Sequence, residues 1–139
     1  MKILIMGLPG SGKTHLAKRL SVHLNCAWYN ADKVREMAND WDFSDAGRRR
    51  QSERMNTIAT FEAVRGRTVI CDFVCPTGET RDEFNADITI WMNTIESGRY
   101  ENTNNIFEEP TDFDYIIESF QSDEWIVDLA KRMKETYYV

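Results

Sequence analysis

The sequence predicts an α/β fold, a parallel sheet of five strands with helices on both of its faces. Short apolar runs alternate along the chain with longer stretches of helical periodicity, and strands separated in this way pair in parallel. The length of 139 residues suits one domain with one shared core. We therefore expect a single domain over residues 1–139, with ligands at the carboxyl ends of the strands.

The predicted strands are short runs rich in apolar and β-branched residues. The first run is bounded by Gly7, and the third, TVICDF, has the strongest strand pattern in the chain. In chain order the five runs are residues 2–6, 26–29, 68–73, 87–92 and 113–117.

The predicted helices are stretches in which apolar residues recur every three or four positions. They span residues 13–24, 31–39, 45–64 and 122–136. This periodicity predicts that Val34 and Met37 on the second helix, and Phe61 on the third, face the core. Residues 97–112 are polar and turn-rich, so we expect them to form a loop over the site, within a closing segment of about residues 93–112.

Composition excludes several classes of protein. The chain is 42% hydrophobic with a net charge of −6, which suits a soluble globule and argues against binding long nucleic acid. No apolar run approaches the roughly 20 residues of a membrane span, and no signal segment precedes the first strand, so we expect a cytoplasmic protein. Three cysteines without paired spacing fit neither a disulfide framework nor a zinc site, and we expect each to be a small buried residue.

A complete phosphate-binding motif, GLPGSGKT, follows the first strand and opens the first helix. Backbone N–H groups of such a loop converge on phosphate oxygens, and the helix N-terminus adds partial positive charge. Lys13 is predicted to reach the β- and γ-phosphates of ATP, and the Thr14 hydroxyl to bind Mg²⁺. The flanking strand and helix disfavour a chance match in a glycine-rich turn. The predicted nucleotide-binding residues are Gly7, Pro9, Gly10, Ser11, Gly12, Lys13 and Thr14.

Two carboxylates follow neighbouring strands of the predicted sheet. Asp32 comes after the second strand and Asp72 ends the third, so both are expected near the γ-phosphate. Phosphoryl transfer needs one group to orient or deprotonate the acceptor hydroxyl and another to hold the metal. Asp32 and Asp72 are the candidates for these two roles. A helix N-cap for Asp32 and a turn position for Asp72 remain open. His15 and His23 are expected to be structural.

Beyond the motif, the sequence resembles the adenylylsulfate (APS) kinases over roughly residues 3–110. The segment NADKVR at residues 30–35 is similar to that family's DGDNVR, and DFVCP at residues 72–76 is similar to its SFISP. Gly98 and the Glu109–Pro110 pair are similar to its closing loop. Single-residue matches are Asn39, Phe43, Arg48 and Arg54, and Gln51 stands in place of an asparagine.

The resemblance implies a P-loop kinase three-layer sandwich with strand order 2-3-1-4-5, and phosphorylation of the 3′-hydroxyl of adenylylsulfate by ATP with Mg²⁺. It implies that Asp32 is the general base and that Phe43 stacks on the acceptor's adenine, although a core position for Phe43 stays open. The second aromatic of that site is one of Phe73, Tyr100 and Phe107. The other acceptor-binding residues implied are Arg35, Asn39, Arg48 and Gln51. The planar guanidinium group of an arginine can donate two hydrogen bonds to phosphate or sulfate oxygens. Arg49 and Arg50, in contrast, are expected on a solvated helix face.

The sequence departs from this family at the metal side and at the lid. Asn30 stands in place of an aspartate, so Asp72, itself in place of a serine, is expected to supply the charge that organises the metal. The family's lysine- and arginine-bearing segment after the fourth strand is absent, and Arg99 compensates only in part.

Three hypotheses follow from these observations. The first is an APS kinase in a reduced form. The second is a P-loop kinase of the same lineage with another acceptor, such as a nucleotide, a polynucleotide 5′-hydroxyl or a small alcohol. The third is a nucleotide-binding regulatory module without turnover. The arginine cluster favours a small anionic acceptor, and the sequence leaves a homodimer open.

Overall fold

The fold is described by a computed structural model covering residues 1–138; Val139, the last residue of the predicted domain, lies outside the described residues. The strands are β1 Lys2–Met6, β2 Ala27–Asn30, β3 Val69–Asp72, β4 Ile88–Met92 and β5 Tyr115–Ile117. The helices are α1 Lys13–Leu24, α2 Ala31–Ala38, α3 Asp45–Ala63, α4 Gly78–Phe84, α5 Glu101–Ile106 and α6 Asp123–Tyr137.

All strand pairs are parallel, and the strands lie in the order β2-β3-β1-β4-β5. This confirms the predicted topology. Asp72 is in register with Asn30 on one side and with Ile5 on the other, so the carboxyl ends of three strands meet around this carboxylate. That edge of the sheet is where the predicted site lies.

Two apolar layers cover the two faces of the sheet. One packs α1 and α6 on the sheet through residues such as Leu20 and Leu129, and the other packs α3 and α4 through Met55 and Phe84. The cysteine expectation holds for Cys71 and Cys75, which are buried, while Cys26 is only partly buried. Within residues 1–138, no helix combines the length and apolar character needed to cross a bilayer.

Two side chains predicted to face the core are exposed. Met37 is 75% exposed because α2 ends one residue later, and only Val34 and Arg35 of this short helix are buried. Phe61 is 53% exposed and lies beneath the Arg65 guanidinium, 3.8 Å from the ring centroid. Its position falls off the buried stripe of α3, where the neighbouring residue Glu62 points inward.

The sequence prediction also missed two short helices. Helix α4 begins at a capping box in which the side chains of Thr77 and Thr80 each bind the other's backbone N–H. Helix α5 lies inside residues 97–112, which were predicted to be a loop. Strand β2 is shifted by one residue from the prediction, since it begins at Ala27 and ends at Asn30. Asn30 also caps α2, because its side chain accepts a hydrogen bond from the Lys33 N–H at 3.0 Å.

Candidate active site

The GLPGSGKT loop joins β1 to α1 and contains three glycines in unusual surroundings. Gly10 and Gly12 have φ of 88° and 97°, values that other residues adopt only with strain. A Cβ on Gly7 would lie 2.6 Å from the Met92 carbonyl oxygen and 2.8 Å from Ser11 Oγ. Ser11 Oγ is itself buried and has no hydrogen-bond partner among residues 1–138. A buried, unsatisfied hydroxyl in a glycine cradle fits a loop that binds phosphate oxygens.

Lys13 opens α1 and is 9% exposed. Its ammonium donates a hydrogen bond to the Leu8 carbonyl at 3.0 Å, which holds the side chain across the loop. Burial lowers the pKa of Lys13 to about 8, and the negative charges of Asp72 and Asp32 oppose this shift in part. An anion bound at the loop would favour the protonated lysine.

Asp72 is the centre of a polar cluster at the end of β3, and it is 2% exposed. Its Oδ1 accepts a hydrogen bond from Asn30 Nδ2 at 3.0 Å and lies 3.5 Å from Thr14 Oγ1, while its Oδ2 accepts one from Trp28 Nε1 at 2.5 Å. Burial raises the pKa of Asp72, although the hydrogen bonds from Trp28 and Asn30 and the charge of Lys13 lower it. Carboxylate and hydroxyl oxygens beside a phosphate loop fit Mg²⁺, so Thr14 and Asp72 are the residues that would hold it.

Asp32 lies in the first turn of α2 and is exposed to the same cavity. The N-cap of α2 is Asn30, so the interpretation of Asp32 as the cap is wrong. Its charge influences both Lys13 and Asp72. Asp32 is therefore near the phosphate loop and free of a capping role.

The other half of the cavity is built on the loop between α2 and α3. Arg35 is buried, and its Nη1 donates to the carbonyls of Asp40 at 2.8 Å and Asp42 at 3.3 Å. Its guanidinium stacks 4.4 Å from the centroid of the Phe43 ring. Phe43 is 56% exposed, so the interpretation of this ring as a core residue is wrong. Arg48 Nε donates to the Phe43 carbonyl at 2.9 Å and so fixes the same loop from α3.

Asp40 ties this loop to α3 through two arginines. Its carboxylate accepts hydrogen bonds from Arg50 at 2.7 and 2.9 Å and from Arg54 at 2.9 Å, and these bonds hold the pKa of Asp40 well below its usual range. Arg54 also donates to Gln51 Oε1 at 2.6 Å, and Gln51 Nε2 donates to the Ala31 carbonyl at 3.0 Å. The amide of Gln51 is thus engaged by the protein at both ends. Arg50 is exposed, as expected, and it is also ion-paired with Asp40.

The closing segment is attached to both rims of the cavity. Thr94 Oγ1 donates to the Ser11 carbonyl at 2.7 Å, and the Asn104 side chain makes two hydrogen bonds, of 2.7 and 2.9 Å, with the backbone of Gly98. At the far end, Glu108 N–H donates to the Pro76 carbonyl at 2.7 Å. Between these attachments Arg99 and Tyr100 line the cavity.

One cavity of about 1400 Å³ brings most of the predicted site residues together. It does not include Asn39, which is exposed on the left-handed turn that ends α2, or the buried loop residues Gly7 and Ser11. Phe73 offers little surface to the cavity, since it is 7% exposed and packs edge-to-face on Phe84, with 5.5 Å between the ring centroids. The predicted residues that line the cavity are Pro9, Gly10, Gly12, Lys13, Thr14, Asp32, Arg35, Phe43, Arg48, Gln51, Asp72 and Phe73.

Sequence reasoning missed two tryptophans of this site. Trp41 is 51% exposed and lines the same cavity as Phe43, and Trp28 donates to Asp72 from β2. Trp41 could have been found from its place between two loop aspartates, where an apolar ring has no core to fill. Trp28 gave no signal, because an aromatic residue in a strand is ordinarily read as packing.

Comparison with known proteins agrees with this geometry. A family model described as AAA domain matches residues 3–124. The chain belongs to the AAA domain family. No curated protein sequence matches it.

Three solved structures of kinases share the fold of this AAA domain. The APS kinase of Mycobacterium tuberculosis, in complex with AMPPNP and APS, is 18% identical with a TM-score of 0.80, over 97% of each chain. The shikimate kinase of Aquifex aeolicus is 16% identical with a TM-score of 0.69, over 97% of this chain and 96% of its own. A gluconokinase of Sinorhizobium meliloti is 14% identical with a TM-score of 0.69, over 99% of this chain and 95% of its own. The likeness identifies the P-loop kinase fold.

Proposed function

We propose that this protein is a small-molecule kinase that transfers the γ-phosphate of ATP to the 3′-hydroxyl of adenylylsulfate. The observation that supports this most strongly is the cavity of about 1400 Å³, which joins the phosphate loop to the wall formed by Arg35, Phe43 and Arg48. A kinase has to hold donor and acceptor side by side in one partly desolvated space. The likeness to an APS kinase that holds AMPPNP and APS supports the same assignment.

On the donor side, the loop N–H groups and the Lys13 ammonium bind the phosphates of ATP. Thr14 and Asp72 hold Mg²⁺, which when bound supplies positive charge to the phosphate oxygens. Asp32, exposed to the cavity and within reach of the charges of Lys13 and Asp72, accepts the proton of the acceptor hydroxyl. Burial of Lys13 and Asp72 strengthens their interaction with the transferring group, because the local dielectric is low.

On the acceptor side, the exposed face of Phe43 stacks on the adenine, with Arg35 fixed on the other face of the ring. Within residues 1–138, Arg48 donates a side-chain hydrogen bond through Nε alone, to the Phe43 carbonyl, so its terminal N–H groups can bind the phosphosulfate. These contacts account for an anionic acceptor with a planar base.

Other contacts favour the second candidate, a P-loop kinase acting on a nucleotide or a polynucleotide 5′-hydroxyl. The Gln51 amide is taken up by Arg54 and Ala31, and Asn39 lies outside the cavity, so two acceptor contacts implied by the resemblance lack support. Trp41 adds a second exposed ring to the same wall. Because the two rings implied for adenylylsulfate already serve one base, Trp41 is available to stack on a further base.

A thermal-shift screen in AMPPNP and Mg²⁺ tests the acceptor. An acceptor present at 100 times its Kd stabilises the folded protein by about 2.7 kcal/mol. We expect adenylylsulfate to raise Tm above the AMPPNP value, and Arg48→Ala to lose this increment but keep the AMPPNP shift. Arg65→Ala is the matched control, because Arg65 covers Phe61 away from the cavity. A shift with a 5′-hydroxyl dinucleotide but none with adenylylsulfate would replace the first candidate by the second.

A further inference from the structure

Trp28 lies in β2 on the same face of the sheet as Asn30, two residues further along the strand. Trp28 is in register with Ile70 of β3, so Asp72 is its diagonal neighbour across the strand pair. Diagonal neighbours are within reach of a large aromatic side chain. The indole N–H is the one polar group of this side chain, and it donates a hydrogen bond to Asp72 Oδ2 at 2.5 Å.

The two oxygens of Asp72 therefore have different partners. Oδ2 is occupied by the indole N–H, whereas Oδ1 accepts from Asn30 Nδ2 at 3.0 Å and faces Thr14 Oγ1 at 3.5 Å. The orientation of the Asn30 amide is fixed in turn, since its Oδ1 accepts the Lys33 N–H. The indole N–H can donate a hydrogen bond but cannot accept one, so Asp72 Oδ2 must be the acceptor of this bond.

We propose that Trp28 is a positioning residue, which holds Asp72 in the one orientation that turns Oδ1 toward the Thr14 hydroxyl. The inference rests on the proposed function, in which Thr14 and Asp72 hold Mg²⁺ with the nucleotide. A donor behind a metal-holding carboxylate fixes its direction, and loss of such a partner lowers metal affinity about 10- to 100-fold. Nothing in the packing of Trp28 requires the N–H, since the ring contacts the apolar layer under α1 and α6.

Trp28→Phe separates the two roles, because it keeps an aromatic ring in the layer and removes only the donor and the second ring. Trp125→Phe is the matched control; Trp125 is partly buried against the same layer, with Arg132 over its ring. The measurement is calorimetric titration of the full chain with AMPPNP, in saturating Mg²⁺ and in EDTA, together with Tm.

We expect Trp28→Phe to weaken binding of Mg²⁺-AMPPNP about 10- to 100-fold, with AMPPNP in EDTA changed less than about threefold. Trp125→Phe should alter neither affinity. Equal losses with and without Mg²⁺, or none, would overturn the inference while leaving the kinase proposal intact. Wild-type protein that binds no nucleotide at all would overturn both.

If Trp28→Phe fails to fold, the wild-type protein still decides the question. The Nε1–H resonance of Trp28 in a ¹⁵N-correlation spectrum should shift when Mg²⁺ is added to the AMPPNP complex, while that of Trp125 stays in place. A Trp28 Nε1–H resonance that does not shift when Mg²⁺ is added would refute the positioning role.

Discussion

Replacing Lys13 by methionine should remove activity and yet not weaken the nucleotide-free fold at neutral pH. A pKa lowered from 10.5 to about 8 corresponds to about 3 kcal/mol of unfavourable free energy for the charged lysine in the folded chain. Methionine fills similar space without charge. Against this gain, the Leu8 carbonyl loses its donor, at a cost of about 1–3 kcal/mol. The net expectation at pH 7 is between no change and a gain of about 2 kcal/mol.

The pH dependence of that difference is the sharper part of the prediction. Because the folded-state pKa of Lys13 lies below the unfolded-state value, the unfolded chain binds more protons between about pH 8 and pH 10.5. Wild-type stability therefore gains a contribution as pH rises through this window. Lys13→Met lacks the group, so its relative advantage is complete below about pH 8 and is lost by about pH 10.5.

Urea denaturation of both proteins at pH 7 and pH 10 measures this. The stability of Lys13→Met relative to wild type should fall by about 2–3 kcal/mol over that interval. Lys18→Met, at an exposed position of the same helix, is the control and should show no such change. A difference independent of pH, or a variant more than about 1 kcal/mol less stable at pH 7, would refute the burial argument.

Three further predictions concern turnover and specificity. Asp32→Asn should lower kcat by about 10²–10⁴ with little loss of nucleotide affinity, since it removes a base but no cap; a change confined to Tm would end its assignment as the base. Asp40→Asn should raise the KM for the acceptor and leave that for ATP unchanged, because the carboxylate fixes the loop of Phe43 through Arg50 and Arg54; equal effects on both substrates would show a general loss of structure. GTP should replace ATP, with kcat/KM for ATP less than about 10³ times that for GTP. The loop N–H groups contact only phosphates, and the exposed residues 99–102 give only solvated contacts to a base. A larger preference for ATP, worth about 4 kcal/mol or more, would reveal a specific base pocket.

The elements with strong local signals were predicted accurately. The span of α1 is the predicted one, because the motif fixes its first residue and leucines at Leu16, Leu20 and Leu24 mark its buried face. The order of the strands followed from the family resemblance. Asp32 and Asp72 meet at one cavity because the carboxyl ends of parallel strands lie along one edge of the sheet.

What failed depends on contacts between distant residues. Nothing in the spacing of Gln51 indicates that the Ala31 carbonyl engages its amide, since that contact requires the folded packing of α3 on α2. Met37 follows the helical periodicity of α2, but the helix ends one residue later and the side chain of Met37 does not reach the core. The contact of Trp28 with Asp72 could not be predicted either, because it depends on the register of β2 with β3.

The central claim is tested most directly by following the γ-phosphate itself. Wild-type protein is incubated with γ-labelled ATP, Mg²⁺ and adenylylsulfate, and the products are separated and counted. We predict label in 3′-phosphoadenylylsulfate, with the rate lowered at least about 10²-fold in Lys13→Ala. Label that never enters adenylylsulfate, but enters a nucleotide or an RNA 5′ end with the same sample, would contradict the proposed acceptor. Equal rates for wild type and Lys13→Ala would contradict the kinase assignment altogether.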